Sequence, residues 1–297
     1  MKIIVVLGQT ATGKSDFAVD VARQINGEII SADSRQVYKG MNLGTGKITK
    51  KEMLGVPHYL LDVINPSKVF TVNDFQKKAL KEIDTIYKRG KVPIICGGTG
   101  FYIDAIVNGT MFPDVPPNKK LRTELYLLDA IALSRYLEKL DPERLKTIDK
   151  NNKVRLVRAI EIAKALGKVP KVIANKNNFE LLKIGLTLPP EILKERIYTR
   201  LLSRIKKGMA KEIENLHKGG ITWKRLHSFG LEYRYVSMYL QGKFTKSEMI
   251  EKLNTEIWHF AKRQNTWFKR DTNTIWINPL KKSDKIKVMK EVKRFLK

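Results

Sequence analysis

The first chemical signature in the chain is an eight-residue segment of glycine and small polar residues. Residues 8–15, G-Q-T-A-T-G-K-S, match the phosphate-loop pattern G-x-x-x-x-G-K-[ST] at every fixed position. In such a loop backbone N–H groups close on phosphate oxygens, the lysine supplies a cation, and the hydroxyl supplies a Mg²⁺ ligand. We therefore predict a polyphosphate site with Ser15 as the Mg²⁺ ligand, formed by Gly8, Gln9, Thr10, Ala11, Thr12, Gly13, Lys14 and Ser15.

The carboxylate that could bind Mg²⁺ follows the second apolar run, whereas nucleotide-using enzymes need one after a later strand. Such enzymes hold Mg²⁺ with an acidic residue at the end of a later strand. The third apolar run, 92–96, ends in two glycines and Thr99, whereas the second run, 27–32, ends at Asp33. In an open α/β fold Asp33 would face the crevice where ligands bind. Asp33 could hold Mg²⁺ there or act as a base.

Apolar runs alternate with segments of helical spacing along the chain. The predicted strands cover residues 2–7, 27–32, 92–96 and 181–188. The predicted helices include 15–24, 72–88, one long helix over 190–216, and a basic amphipathic helix over 281–297 with a solvated face. Strands that alternate with helices predict an α/β fold, a parallel sheet flanked by helices.

A proline-rich segment interrupts this alternation. Residues 112–117 contain three prolines, and from 118 to 166 the spacing is helical until Gly167 and Pro170 end it. We therefore expect a phosphate-loop core made of residues 1–117 and 181–297, with a helical insertion domain over 118–180.

The chain is strongly basic, and the excess charge lies mostly in its later part. The 57 Lys and Arg residues exceed 30 Asp and Glu residues, which gives a net charge of +27 and a pI near 10.0. Residues 1–115 carry +4, residues 116–188 carry +8, and residues 189–297 carry +15. This balance favours a polyanionic partner, nucleic acid or an anionic membrane, although a solvated lysine-rich surface also produces it.

The composition excludes several classes of protein. A hydrophobic content of 42% excludes wholesale disorder, and the one cysteine, Cys96, excludes a disulfide framework or a Cys-rich zinc module. No apolar run reaches the ~18 residues that a membrane helix needs. The first apolar run ends in glycine without a signal-peptide cleavage site. We expect a cytoplasmic protein that does not enter a membrane.

Five further segments resemble, in order, the signatures of the bacterial tRNA dimethylallyltransferases, the tRNA isopentenyltransferase or IPP transferase family. They are D-S-R-Q-V-Y-K-G-M-N-L-G-T-G-K at 33–47, P-H-Y-L-L-D at 57–62, G-G-T-G-F-Y at 97–102, R-L-V-R-A-I-E at 155–161 and A-K-R-Q-N-T-W-F at 261–268. Together with the phosphate loop they span the chain from Gly8 to Phe268. The resemblance implies a P-loop NTPase-like fold and the transfer of a dimethylallyl group from dimethylallyl diphosphate to N6 of adenosine 37 (tRNA numbering), next to the anticodon.

The resemblance also implies roles for individual residues. Asp33 would accept the proton from N6, while Lys14, Mg²⁺ and the loop amides would stabilise the departing diphosphate. Thr99 would touch the diphosphate or the base, and Arg200, rather than Arg196, would bind the diphosphate. The implied tRNA contacts are Asp33, Ser34, Arg35, Gln36, Thr99, Arg122, Val154, Arg155, Leu156, Val157 and Arg158. We expect the enzyme to act as a monomer.

Some residues depart from the family pattern. Gly46 replaces the usual alanine, and Phe101 the usual leucine. Arg204 stands where methionine is usual, and S-F-G-L-E-Y at 228–233 replaces a G-Y-[KR]-E element. The segment 255–260 replaces a stretch that usually carries arginine. We expect these changes to alter how tRNA docks and to leave the phosphate loop and Asp33 intact.

Two other classes of function explain less of the sequence than tRNA prenyl transfer does. A small-metabolite kinase or ATPase would explain the phosphate loop, but not the basic charge after residue 115 or the later segments. A nucleic-acid-binding module with a vestigial loop would explain the charge, but not an intact Lys14 and Ser15 beside Asp33.

Overall fold

The computed structural model describes residues 1–170 and 179–297, and a six-stranded parallel sheet forms its centre. The strands are β1 (Lys2–Gly8), β2 (Gly27–Ser31), β3 (His58–Tyr59), β4 (Val92–Gly97), β5 (Glu180–Leu186) and β6 (Thr274–Ile277). They lie in the order β3-β2-β4-β1-β5-β6. The four predicted strands are confirmed, while β3 and β6 are too short to show a periodic pattern in the sequence.

Helices flank the sheet and also form a separate group in the middle of the chain. They are α1 (Lys14–Ile25), α2 (Val72–Lys88), α3 (Gly100–Val107), α4 (Lys119–Leu127), α5 (Ala130–Leu140), α6 (Pro142–Thr147), α7 (Lys153–Leu166), α8 (Pro190–Lys206), α9 (Met209–Lys218), α10 (Trp223–Ser228), α11 (Leu231–Leu240), α12 (Lys246–Phe268) and α13 (Lys282–Leu296). Within the described ranges, none is long and apolar enough to cross a membrane.

The prediction of one long helix over 190–216 is wrong. Helix α8 ends at Lys206, and α9 begins at Met209. Between them Gly208 has a φ of 97°, a conformation that favours glycine and that an α-helix cannot contain. The break separates Arg204, on α8, from Glu212, on α9.

The chain divides into two compact units. One comprises Met1–Gly109 with Lys176–Lys297, and the other comprises Thr110–Asn175. The second unit contains α4 to α7, whose fully buried Leu133, Leu137, Leu156 and Ile160 form its own core. The predicted insertion covered 118–180, of which residues 171–178 lie outside the described part.

The sheet brings the chemically interesting residues to one edge. Alternate side chains of β1 enter two different cores, Ile3 and Val5 on one face and Ile4 and Val6 on the other. Burial on both faces is typical of a parallel sheet covered by helices. Because parallel strands end at the same edge, the segments after β1, β2 and β4 meet there.

Candidate active site

The segment between β1 and α1 forms a tight loop at this edge. Gly8 and Gly13 have φ values of 144° and 89°. A Cβ on Gly8 would lie 2.4 Å from the carbonyl oxygen of Leu186, so no side chain fits at this position. The buried Thr12 hydroxyl donates to the carbonyl oxygen of Gln9 at 2.8 Å. Gly13 caps α1 without a side chain, which leaves the first N–H groups of the helix available to an anion.

Lys14 places a cation at the start of α1. Its Nζ donates to the carbonyl oxygen of Gln9 at 2.5 Å. Burial lowers the pKa of Lys14 to about 8; Cys96 and Asp33 oppose this shift, while the positive charge of Arg200 adds to it. A bound anion would stabilise the ammonium form, because an opposite charge nearby raises the pKa of a lysine. Lys14 is therefore suited to hold a phosphate group.

Asp33 follows β2, and its carboxylate is fixed by the backbone. Its Oδ1 accepts hydrogen bonds from the N–H groups of Arg35 at 2.8 Å and Gln36 at 3.3 Å. Thr99, which follows β4, accepts through Oγ1 from the N–H of Ser34 at 3.0 Å. These bonds tie together the segments after two neighbouring strands, so Asp33 and Thr99 lie close together at this edge of the sheet.

Two adjoining cavities open around Asp33. The first is lined by Lys14 and Ser15 of the loop together with Asp33, Gln36 and Arg200. The second is lined by Asp33, Ser34, Arg35, Thr99 and Arg200, with aromatic side chains that include Phe229 and Tyr235. Residues common to both cavities are Thr10, Asp33, Thr45, Gly98, Arg200 and Phe260. Asp33 and Arg200 thus stand at the boundary between two spaces, each able to receive a separate ligand.

Arg196 and Arg200 both lie on α8 and line a groove that contains Gly13, Lys14 and Ser15 of the phosphate loop. A Cβ on Gly13 would lie 3.7 Å from a guanidinium nitrogen of Arg196. Arg200 differs in that it also lines the cavity that contains Asp33. The guanidinium of Arg200 donates to the carbonyl oxygen of Gly46 at 3.1 Å, which fixes its direction.

Gln264 is a site residue that the sequence reasoning did not single out. Its amide accepts from the N–H of Thr10 at 2.8 Å and donates to the carbonyl oxygen of Gly98 at 2.8 Å. It therefore joins the phosphate loop to the end of β4 from helix α12. The available signal was the segment A-K-R-Q at 261–264. His58 also lines the first cavity, and burial lowers its pKa.

The residues around Ser15 fit a Mg²⁺ ion that takes most of its ligands from a bound diphosphate. Among residues 1–170 and 179–297 no cluster of three or more His, Cys, Asp or Glu could hold a metal by itself. The first cavity does offer the Ser15 hydroxyl and the Asp33 carboxylate as oxygen donors. Mg²⁺ is commonly held by one or two protein oxygens plus substrate phosphates, so this donor set is suitable.

Within the helical unit, two of the predicted tRNA-contacting arginines share one buried carboxylate. Glu161 is 1% exposed; it pairs bidentately with Arg122, at 2.9 and 2.8 Å, and also with Arg158. Burial favours the neutral acid, but hydrogen bonds from Arg122, Arg158 and the N–H of Asn118 prevail and lower the pKa of Glu161 to about 2. About a third of each arginine side chain remains exposed. Glu161 thus holds two cations in fixed positions.

Leu156 and Val157 require a correction. Both were predicted to contact tRNA, but they are 0% and 1% exposed in the core of the helical unit. Their side chains position α7 and do not reach a ligand. On the same helix Val154 is 64% exposed, and the Arg155 side chain is 57% exposed.

The chain is similar along most of its length to one family of known proteins. The family model described as IPP transferase matches residues 36–271. The chain is 46% identical over 281 residues to tRNA dimethylallyltransferase 2 of Treponema denticola, covering 93% of this chain and 94% of that relative. The chain belongs to the IPP transferase family. This membership confirms the resemblance and favours it over the kinase and binding-module alternatives.

Solved structures of similar proteins confirm the P-loop NTPase-like α/β fold of this IPP transferase. A tRNA isopentenylpyrophosphate transferase from Bacillus halodurans is 34% identical, with a TM-score of 0.76 over 99% of this chain and 96% of that one. A eukaryotic dimethylallyltransferase described as acting on tRNA is 25% identical, with a TM-score of 0.79 over 98% of this chain and 77% of that one.

Proposed function

We propose that this IPP transferase moves a dimethylallyl group from dimethylallyl diphosphate to N6 of adenosine 37 in tRNA, giving N6-isopentenyladenosine and diphosphate. One observation carries the proposal: the phosphate loop shares a cavity with Asp33, and a second cavity opens at the same carboxylate. The first cavity would hold the donor and the second would hold the adenine. The reacting atoms would then meet at Asp33.

The phosphate loop and Arg200 would bind the diphosphate. As the bond between C1 of the allyl group and the diphosphate oxygen breaks, its electron pair passes to that oxygen. Lys14, Arg200 and the N–H groups at the start of α1 already surround the place where this negative charge grows. Such preorganised charge is commonly the largest contribution to catalysis. Mg²⁺, held by Ser15 and the diphosphate, would supply further charge neutralisation.

Asp33 would act as the base. The N6 lone pair forms a bond to C1, and the nitrogen must then lose a proton, which passes to the Asp33 carboxylate. The N–H groups of Arg35 and Gln36 both donate to Oδ1. Oδ2 is therefore the oxygen that we assign to the proton. A positioned base of this kind typically contributes ~10²–10⁴-fold to a rate.

The second cavity would receive an adenine that leaves the stacked anticodon loop, at a cost of a few kcal/mol. Aromatic side chains such as Phe229 and Tyr235 line this cavity, and bases commonly stack on such rings. Arg35 is held by a 2.7 Å hydrogen bond from its Nε to the carbonyl oxygen of Phe229. Ser34, Arg35 and Thr99, which line this cavity, would contact the nucleotides around the extruded base. Gln36 was predicted to contact tRNA as well, but it lines the first cavity, next to the proposed donor site.

In the helical unit the exposed Arg155 and Val154, with Arg122 and Arg158 held by Glu161, would contact the tRNA backbone. Phosphate contacts of this kind position an RNA without reading its sequence. We further propose that the enzyme acts as a monomer.

The test is incubation of the purified chain with radiolabelled dimethylallyl diphosphate and tRNA from cells that lack this modification. Label that enters tRNA, and N6-isopentenyladenosine after nuclease digestion, would support the proposal. A parallel reaction with labelled ATP tests the kinase alternative. ATP turnover without prenyl transfer would refute the proposed prenyl transfer. Binding of tRNA without either reaction would refute it as well.

A further inference from the structure

A short turn, residues 42–47, forms part of the wall of both cavities. Its Thr45 lines each of them, and the carbonyl oxygen of Gly46 accepts the hydrogen bond that fixes Arg200. The turn is closed by hydrogen bonds from the N–H of Gly46 to Leu43 and from the N–H of Lys47 to Asn42, at 3.1 and 3.0 Å. Its position therefore decides where Arg200 points.

A carboxylate holds the start of this turn. Glu212 of α9 accepts hydrogen bonds from the N–H groups of Asn42, Leu43 and Gly44 at 2.9, 2.6 and 3.0 Å. It also accepts from the hydroxyl of Tyr233 at 2.8 Å. Three successive N–H groups in one direction resemble the start of a helix, where a negative charge is favourable.

A guanidinium holds the carbonyl side of the turn. Arg204 donates to the carbonyl oxygens of Leu43 and Gly44 at 3.3 and 3.2 Å. It also pairs with Glu232 at 2.8 Å, and both side chains are 13% exposed. The turn thus lies between opposite charges that match its dipole, with Glu212 at the amides and Arg204 at the carbonyls.

The two charges of this pair also act on Arg200, one helical turn before Arg204 on α8. Burial lowers the pKa of Arg200, Arg204 lowers it further, and Glu232 raises it. Arg200, Arg204 and Glu232 line the second cavity together, so a Glu232 carboxylate without its partner would share that space with Arg200. In the folded chain its carboxylate is already occupied by Arg204.

We propose that Arg204 is a positioning residue that keeps Glu232 from capturing Arg200, so that Arg200 stays directed at the diphosphate. The inference rests on the proposed function, because it assigns Arg200 to the donor. It also accounts for two departures from the family pattern, since Arg204 and Glu232 occupy two of the unusual positions and bind each other.

The test compares Arg204→Met, Glu232→Gln and the double variant by steady-state kinetics. In Arg204→Met the freed Glu232 should draw Arg200 away, so KM for dimethylallyl diphosphate should rise about tenfold, the effect expected for one charge-assisted hydrogen bond. The Kd for tRNA should change less than twofold. The double variant should recover most of the loss, because it lacks the competing carboxylate. Lys206→Met is the control, because it removes an exposed positive charge from the same helix, and its KM should equal that of the wild type.

The double variant keeps the proposal falsifiable even if Arg204→Met is unstable. A purely structural role for Arg204 predicts that the double variant is at least as impaired as Arg204→Met, and that result would overturn the inference. An unchanged KM in Arg204→Met would overturn it as well. A wild-type chain that transfers no dimethylallyl group would instead refute the proposed function itself.

Discussion

Replacing Asp33 with asparagine separates the chemical role of this residue from its structural role. The amide oxygen of asparagine can still accept from the N–H groups of Arg35 and Gln36, which hold Oδ1 at 2.8 and 3.3 Å. The turn after β2 should therefore keep its shape, and with it the hydrogen bond between Ser34 and Thr99. What Asp33→Asn loses is the basic Oδ2.

The magnitude follows from that loss. A positioned general base contributes ~10²–10⁴-fold, which corresponds to ~2.7–5.4 kcal/mol in the activation free energy at 1.36 kcal/mol per tenfold. Single-turnover transfer of labelled dimethylallyl to tRNA should slow by that factor in Asp33→Asn. The Kd for tRNA should stay within about threefold, because the proton moves only as the new bond forms.

Asp20→Asn is the matched control, since it makes the same change on an exposed position of α1. It should leave the rate unchanged. A rate for Asp33→Asn within threefold of the wild type would remove Asp33 from the role of base. A large loss of tRNA affinity with a normal single-turnover rate would assign Asp33 to binding alone.

Three further predictions concern charged groups. The kcat/KM for dimethylallyl diphosphate should fall as the pH rises through about 8, because the free enzyme then loses the ammonium of Lys14. If Lys14→Arg shows the same decrease in kcat/KM at this pH, Lys14 is not the group responsible. Arg155→Ala should weaken tRNA binding at every sequence and reduce the slope of log affinity against log salt by ~1, as measured by filter binding. Glu161→Gln should lower the free energy of unfolding at neutral pH by about 2 kcal/mol, because two arginines lose their carboxylate. In the folded chain the pKa of Glu161 is lowered to about 2. The stabilisation by its carboxylate is therefore present above pH ~4.5 and should vanish as the pH falls towards 2. Urea titrations at several pH values should show this pH dependence in the wild type and not in Glu161→Gln.

Local sequence patterns predict those parts of the site that are formed by residues close together in the sequence. The loop at 8–15 needs glycines at fixed positions, and Gly8 has no room for a side chain against Leu186. Asp33 and Thr99 could be placed together because parallel strands end at a common edge. These inferences need only a few residues of pattern and one rule of topology.

Contacts between residues distant in sequence could not be predicted in this way. Gln264 joins the loop at Thr10 across 254 positions, and no periodicity of α12 indicates that its amide faces the cavity. The break at Gly208 could not be predicted, because the apolar spacing of α8 continues into α9. The break depends on the φ of 97° at Gly208, and the spacing of apolar residues does not show the conformation of a single residue. The pairing of Arg122 and Arg158 with Glu161 could not be predicted either, because a sequence does not show that Glu161 is buried beside them.

The site as a whole uses its positive charges in two different ways. Lys14 and Arg200 donate to backbone carbonyl oxygens, which carry no net charge, so the charge of both side chains would be available to an incoming diphosphate. Arg204, by contrast, is paired one to one with Glu232 and fixes the geometry around it. A paired cation cannot add much attraction for a phosphate, since a nearby carboxylate cancels its field at short range. The count of 57 basic residues therefore overstates the charge that acts on a ligand, and we expect the cations without a carboxylate partner to determine where the two substrates bind.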